Sequence, residues 1–135
     1  VETYGERALM FFNGRYSHAV VKKPFDTVLV VSDEQSALVQ VTAEELHVAA
    51  EALAAIPGDA LYARIDLLHD DRGNALVSEI ELIEPGLYLS IYPAARSAFA
   101  DAIERELRTF PEFRRISPPD RQDCHSSDAV RGAML

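Results

Sequence analysis

The residues best suited to chemistry are Asp66, Glu79 and Glu81, with Arg64 beside them. They fall on two strand-like runs, residues 61–68 and 75–83, flanking the turn Asp70-Asp71-Arg72-Gly73-Asn74. Alternate side chains of a strand share a face. Tyr62, Arg64, Asp66 and Leu68 therefore point one way, and Leu61, Ala63, Ile65 and Leu67 form an apolar face. On the second strand Val77, Glu79 and Glu81 share a face, opposite Leu76, Ser78, Ile80 and Leu82. A two-residue turn at Arg72-Gly73 sets Asp66 across from Glu79 and Arg64 across from Glu81, with roughly 4.5–5.5 Å between opposed Cβ atoms.

Two opposed carboxylates destabilise a sheet unless a positive charge neutralises them. A hard divalent cation does so well, because magnesium prefers oxygen ligands. It takes only one or two carboxylates as a rule and leaves its other positions to water and phosphates. An Asp on one strand and Glu-x-Glu on the next supply such a half-built site. The plainer reading is a solvated polar sheet face with Arg64 paired to Glu81 and nothing bound.

Several further elements must position these residues. Residues 7–12 and 15–23 read as strands joined at Asn13-Gly14, the dipeptide that best tolerates positive φ in a tight hairpin. Pro24 ends the second strand, residues 27–31 form a β-branched run, and residues 37–41 are a weaker strand candidate. Thr42-Ala43-Glu44-Glu45 fits a capping box. From it Leu46, Ala49, Ala50, Leu53 and Ala54 recur at helical spacing until Pro57-Gly58. A second helix follows Pro93, over residues 94–108, with Phe99, Ile103 and Leu107 on one stripe. Leu87-Tyr88-Leu89 reads as core. The expected fold class is α+β: an antiparallel sheet of hairpins with two packing helices. Residues 1–108 form one domain and residues 109–135, rich in Pro, Ser, Asp and Arg, a disordered tail.

Bulk composition narrows the partners. The chain has 135 residues, 48% hydrophobic and 26% charged, which is ordinary for one globular domain. Its net charge of −9 repels a phosphate backbone, so non-specific nucleic-acid binding is not expected. Apolar runs are too short to cross a bilayer. The single cysteine, Cys124, precludes an internal disulfide and points to a reducing, cytoplasmic setting. Homo-oligomer formation stays open.

Other reactive side chains offer less. Ser17 and His18 are neighbours on opposite faces of a strand with no acid to orient the histidine. His47 and His69 read as surface residues, and Cys124-His125 lacks the second pair a zinc site needs. Glu84 could meet a second metal or a substrate ammonium, or cap the turn before Pro85-Gly86.

Tyr62-Ala63-Arg64-Ile65-Asp66-Leu67, followed by Ser78-Glu79-Ile80-Glu81-Leu82-Ile83-Glu84-Pro85, resembles the C-terminal magnesium motif of ATP-grasp ligases. The glutathione-synthetase-like branch, with ligases of the cycloserine-biosynthesis type, is the nearest likeness. Gly14-Arg15-Tyr16-Ser17-His18-Ala19-Val20, running to Lys22 and Pro24, is similar to that branch's G-x-x-S-H-A-V segment. The resemblance covers about residues 2–108. It implies that Asp66, Glu79 and Glu81 hold Mg2+ or Mn2+, that Lys22 faces the phosphates of ATP, and that Arg64 is catalytic, orienting carboxylates or the transferred group. It further implies a small carboxylate and an amine as substrates, joined through an acyl phosphate.

Two features depart from the family pattern. Residues 25–30 contain no arginine and no glycine pair follows them. The lobe expected to bind adenine would precede Val1, so the chain reads as a fragment of a longer ligase or a much-shortened reading frame. A degenerate, non-catalytic α+β remnant, and a metal-binding domain without ATP turnover, are the alternatives.

Overall fold

A computed structural model of the protein describes residues 5–22 and 36–110. The expected strand at residues 27–31, the departure at 25–30, Cys124, His125 and nearly all of the tail lie outside these residues.

The described residues form one five-stranded antiparallel sheet with two helices, which is the expected α+β class. In chain order the elements are β1 (Glu6–Phe12), β2 (Arg15–Lys22), β3 (Ser36–Leu38), α1 (Ala43–Ala54), β4 (Tyr62–His69), β5 (Ala75–Glu81) and α2 (Ala95–Thr109). The strands lie in the order β3-β2-β1-β4-β5. β1 is central, and five consecutive residues from Ala8 to Phe12 are buried. An unbroken apolar run is what a strand covered on both faces requires. No helix among the described residues is long and apolar enough to cross a membrane.

One face packs on α1 through Leu9, Phe11, Ala19, Ala63, Ile65 and Leu67. The other carries Ala8, Met10 and Val20 against Tyr88, and Phe12 against Phe99, Ala95 and Ala102 of α2. The α2 contact therefore runs through Ala95, Phe99 and Ala102, not the expected Phe99-Ile103-Leu107 stripe; Leu107 is exposed. Small residues let the helix approach the Phe12 and Tyr62 rings, which lie 5.1 and 6.1 Å from that of Phe99. The α1 stripe is similarly rotated: Leu46, Ala49 and Leu53 pack inward with Val48 and Ala52, whereas Ala50 and Ala54 are exposed.

Local chemistry explains the turns. Asn13 and Gly14 take φ values of 45° and 73°, closing the expected two-residue hairpin between Phe12 and Arg15. The β4–β5 connection is different. Only Gly73 has positive φ there, and a tight two-residue turn of that kind would force Arg72 into the same region. The loop instead closes between Asp70 and Asn74. Its Asp70 carboxylate accepts hydrogen bonds from Arg72 N at 2.9 Å, Asn74 N at 2.8 Å and Asn74 Nδ2 at 2.8 Å.

Those bonds, led by Asn74, hold the Asp70 carboxyl below its ordinary value. A depressed folded-state value stabilises the fold above the unfolded value and is lost as pH falls through the folded one. Asp70→Ala should therefore lower the melting temperature at neutral pH, with the gap from the parent closing in acid. An equal gap at pH 7 and pH 2.5 by circular dichroism would contradict this.

Candidate metal and phosphate site

The longer loop displaces β5 by one residue, and a bulge corrects it. His69, Leu68 and Leu67 pair with Ala75, Leu76 and Val77, then the register shifts, and Asp66, Ile65 and Arg64 pair with Glu79, Ile80 and Glu81. Ser78 is the extra residue, and its hydroxyl donates to the Asp66 carbonyl at 3.0 Å. The expected Asp66–Glu79 and Arg64–Glu81 pairs thus form by two compensating departures. One expectation fails as a result. Val77 lies opposite Leu67 on the α1 face, and does not share the face of Glu79 and Glu81.

Asp66, Glu79 and Glu81 come together: one carboxylate oxygen from each lies within 4.8 Å of the others. Their exposure is graded, with side chains 0% exposed at Asp66, 25% at Glu81 and 55% at Glu79. Arg64 holds Asp66 through Nε and Nη2, each at 2.9 Å, and its Nη2 also donates to Glu81, with Glu79 at 3.9 Å.

Lys22 reaches the same carboxylate from two strands away. Its Nζ donates to Asp66 Oδ2 and lies 3.3 Å from Glu6. On the intervening β1, Glu6 pairs with Lys22 and Ala8 with Asp66, so the lysine reaches the carboxylate diagonally. Burial works against the Lys22 ammonium, but Asp66 outweighs it and holds the amine above its ordinary value. Burial likewise pushes the Glu81 carboxyl up, with Glu79 and Asp66 adding to the effect and Arg64 opposing it. Among the described residues, four carboxylates, counting Glu6, meet two cations. A cluster short of positive charge favours a further cation.

The segment after β5 borders this cluster. Tyr88 is buried, with a φ of 50°, and Glu84 takes 53°. Tyr88 is core as expected, whereas Glu84 is exposed.

Three histidine expectations meet different fates. His47 is a surface residue, 71% exposed. His69 is buried in β4 with Nε2 3.0 Å from Glu45 Oε1, because its alternation places it beside Leu67 on the α1 face. Ser17 and His18 are not turned apart: a bulge in the β1–β2 pairing falls at Ser17, bringing Ser17 Oγ within 2.9 Å of His18 Nδ1. His18 Nε2 lies 3.1 Å from the Leu87 carbonyl, and burial holds the imidazole below its ordinary value. Sequence reading also missed Glu45 as a second buried carboxylate, where only its capping role was legible.

No protein-family model matches the chain. The cycloserine biosynthesis protein DcsG of Streptomyces lavendulae is 33% identical over 118 residues, which is 80% of this chain and 40% of that protein. A crystal structure of D-cycloserine synthetase DcsG superposes with a TM-score of 0.70 at 32% identity, over 78% of this chain and 39% of the other. D-alanine–D-alanine ligase from Bacillus anthracis, complexed with ATP, shares the fold with a TM-score of 0.51 at 20% identity, over 77% of this chain and 38% of that one. The chain spans about two fifths of the length of these relatives. The acidic hairpin, the Ser-His segment and this likeness to DcsG together support the ATP-grasp ligase family, over about two fifths of the length of these relatives.

Proposed function

We propose that the chain is the C-terminal metal- and phosphate-binding portion of an ATP-grasp ligase. The complete enzyme would join a small carboxylate to an amine or thiol through an acyl phosphate, at the expense of ATP. The observation that carries this reading is the convergence of Asp66, Glu79 and Glu81, within 4.8 Å, on the segment that resembles the family's metal motif.

The donor set fits magnesium. All three donors are carboxylate oxygens, and ligand oxygens around one magnesium stand roughly 3–4 Å apart, so small side-chain rotations suffice. Bound there with ATP, the ion would neutralise charge on the transferring phosphoryl group. The chain's own residues do the rest. Lys22 is a point charge on a flexible stem, 19% exposed, able to turn from Asp66 to a phosphate oxygen. Arg64 is clamped along its Nε–Nη2 edge by Asp66 and held against Glu81, so its guanidinium plane is fixed before substrate arrives.

Titration of the chain with Mg2+, with and without ATP, tests the proposal by calorimetry. Glu79→Gln, at an exposed position, should leave the melting temperature unchanged and weaken metal binding about tenfold or more. Unaltered metal affinity would remove Glu79 from the site.

A second reading rests on one specific observation: Arg64 and Lys22 already donate three hydrogen bonds to Asp66. On that reading the cluster is an ion-pair network that holds strands together. A chain that binds neither Mg2+ nor ATP would favour it.

A further inference from the structure

A second polar constellation lies at the opposite end of β2. Arg15 and Lys22 begin and end this eight-residue strand, so they stand about 23 Å apart. Beside Arg15, between the β1–β2 turn and α2, is a cavity of about 330 Å³ lined in part by Arg15, Tyr16, Ser17, Tyr92, Asp101 and Arg105.

Its two arginines are unusual in a chain of net charge −9. Asp101 stands one helical turn before Arg105, the spacing at which Glu104 and Arg108 do pair. Yet among the described residues neither Arg105 nor Arg15 makes an ion pair or a side-chain hydrogen bond. Two guanidinium groups against the one carboxylate of Asp101 leave the lining net positive, which favours an anion between the arginines.

The Ser17–His18 contact fixes a further feature. The Leu87 carbonyl can only accept, so His18 Nε2 must carry the proton in its 3.1 Å bond. In the neutral ring Nδ1 is then a bare acceptor, and the Ser17 hydroxyl donates its hydrogen to it across 2.9 Å. Ser17 Oγ therefore offers the cavity lone pairs only. A ligand matching this lining needs a carboxylate for the arginines and an O–H donor for Ser17. The volume lies at the small end of ligand cavities.

We infer that this cavity binds a small hydroxycarboxylate, its carboxylate between Arg15 and Arg105 and its hydroxyl donating to Ser17. The site is separate from the carboxylate cluster and does not depend on the ligase reading.

Calorimetric titration of the 135-residue chain in metal-free buffer, with L-malate, succinate and inorganic phosphate, tests it. Malate should bind more tightly than either of the others. The double substitution Arg15→Ala/Arg105→Ala should weaken malate about tenfold or more, since it removes charge-assisted bonds. Ala98→Trp, which fills the cavity from an exposed position without touching the arginines, should weaken it too. Ser17→Ala should bring malate down to the affinity of succinate. Absent malate binding, malate affinity unchanged in the double variant or in Ala98→Trp, or phosphate binding tighter than malate would each overturn the inference.

Discussion

Asp66→Asn should destabilise the protein by about 3 kcal/mol, the low end of what removing one partner of a buried ion pair costs. For a domain of this size that is a fall in melting temperature of more than about 10 °C. Asp66 is wholly buried, and its two oxygens accept from Arg64 twice and from Lys22 once. The amide keeps the volume but removes the buried charge shared by Arg64, 8% exposed, and Lys22, 19% exposed, leaving them only the more exposed Glu81 and Glu6 as counter-charges. Lys22 can swing towards Glu6, 3.3 Å away, which is why the low end applies. Adding Lys22→Met to Asp66→Asn should recover part of the loss, with a coupling of about 1 kcal/mol or more. Strict additivity of the two in urea denaturation would mean that the ion pair is not energetically real. Asp66→Asn should also abolish magnesium binding, whereas Glu79→Gln affects binding alone.

The second large effect is expected at Glu45, whose role is architectural. Its side chain is 1% exposed and meets Arg7 Nη1 at 2.8 Å, His69 Nε2 at 3.0 Å and the Thr42 amide at 2.6 Å. The Thr42 hydroxyl returns the bond, accepting from Glu45 N at 3.1 Å, so the capping box is complete. This one carboxylate therefore caps α1, neutralises Arg7 from β1 and ties His69 of β4 to the helix. Glu45→Ala removes all three and leaves half-buried Arg7 and buried His69 beside an empty site. The expected cost is again about 3 kcal/mol, combining a lost cap with a partly buried charge deprived of its partner. Arg7 keeps its 3.2 Å bond to the Gln40 carbonyl, which limits the damage. Magnesium affinity, measured below the variant's melting transition, should equal that of the parent. A loss of binding in the folded variant would show that the two carboxylates are coupled through β4.

The contrast between these residues marks how far the sequence could be read. Asp66 was legible because period-two alternation around a turn rich in Asp, Gly and Asn is local, and its partners Glu79 and Glu81 lie on the adjoining strand. Glu45 was legible only as a cap, since the capping box spans four residues, Thr42 to Glu45. Its partners lie 38 positions earlier in Arg7 and on β4 in His69. Lys22 was named from a resemblance; its contact with Asp66, 44 positions away, follows from no local pattern.

The acidic hairpin that opened the reading is thus partly a local and partly a global feature. By itself the sequence determined most of the described elements and their local ends, with Asn13-Gly14 closing the first hairpin and the Thr42 cap starting α1. Backbone torsion preferences and side-chain alternation act over a few residues, so they can be read without knowing the fold. Tertiary structure decided the rest. The order β3-β2-β1-β4-β5 brings Lys22 across β1 to Asp66. The bulge at Ser78 restores the pairing that the Asp70–Asn74 loop would have shifted, and the bulge at Ser17 turns its hydroxyl to His18. Burial of Glu45 and His69 depends on α1 docking over β4. These features arise when distant strands pack, because only then do a few ångströms of register decide which charges meet.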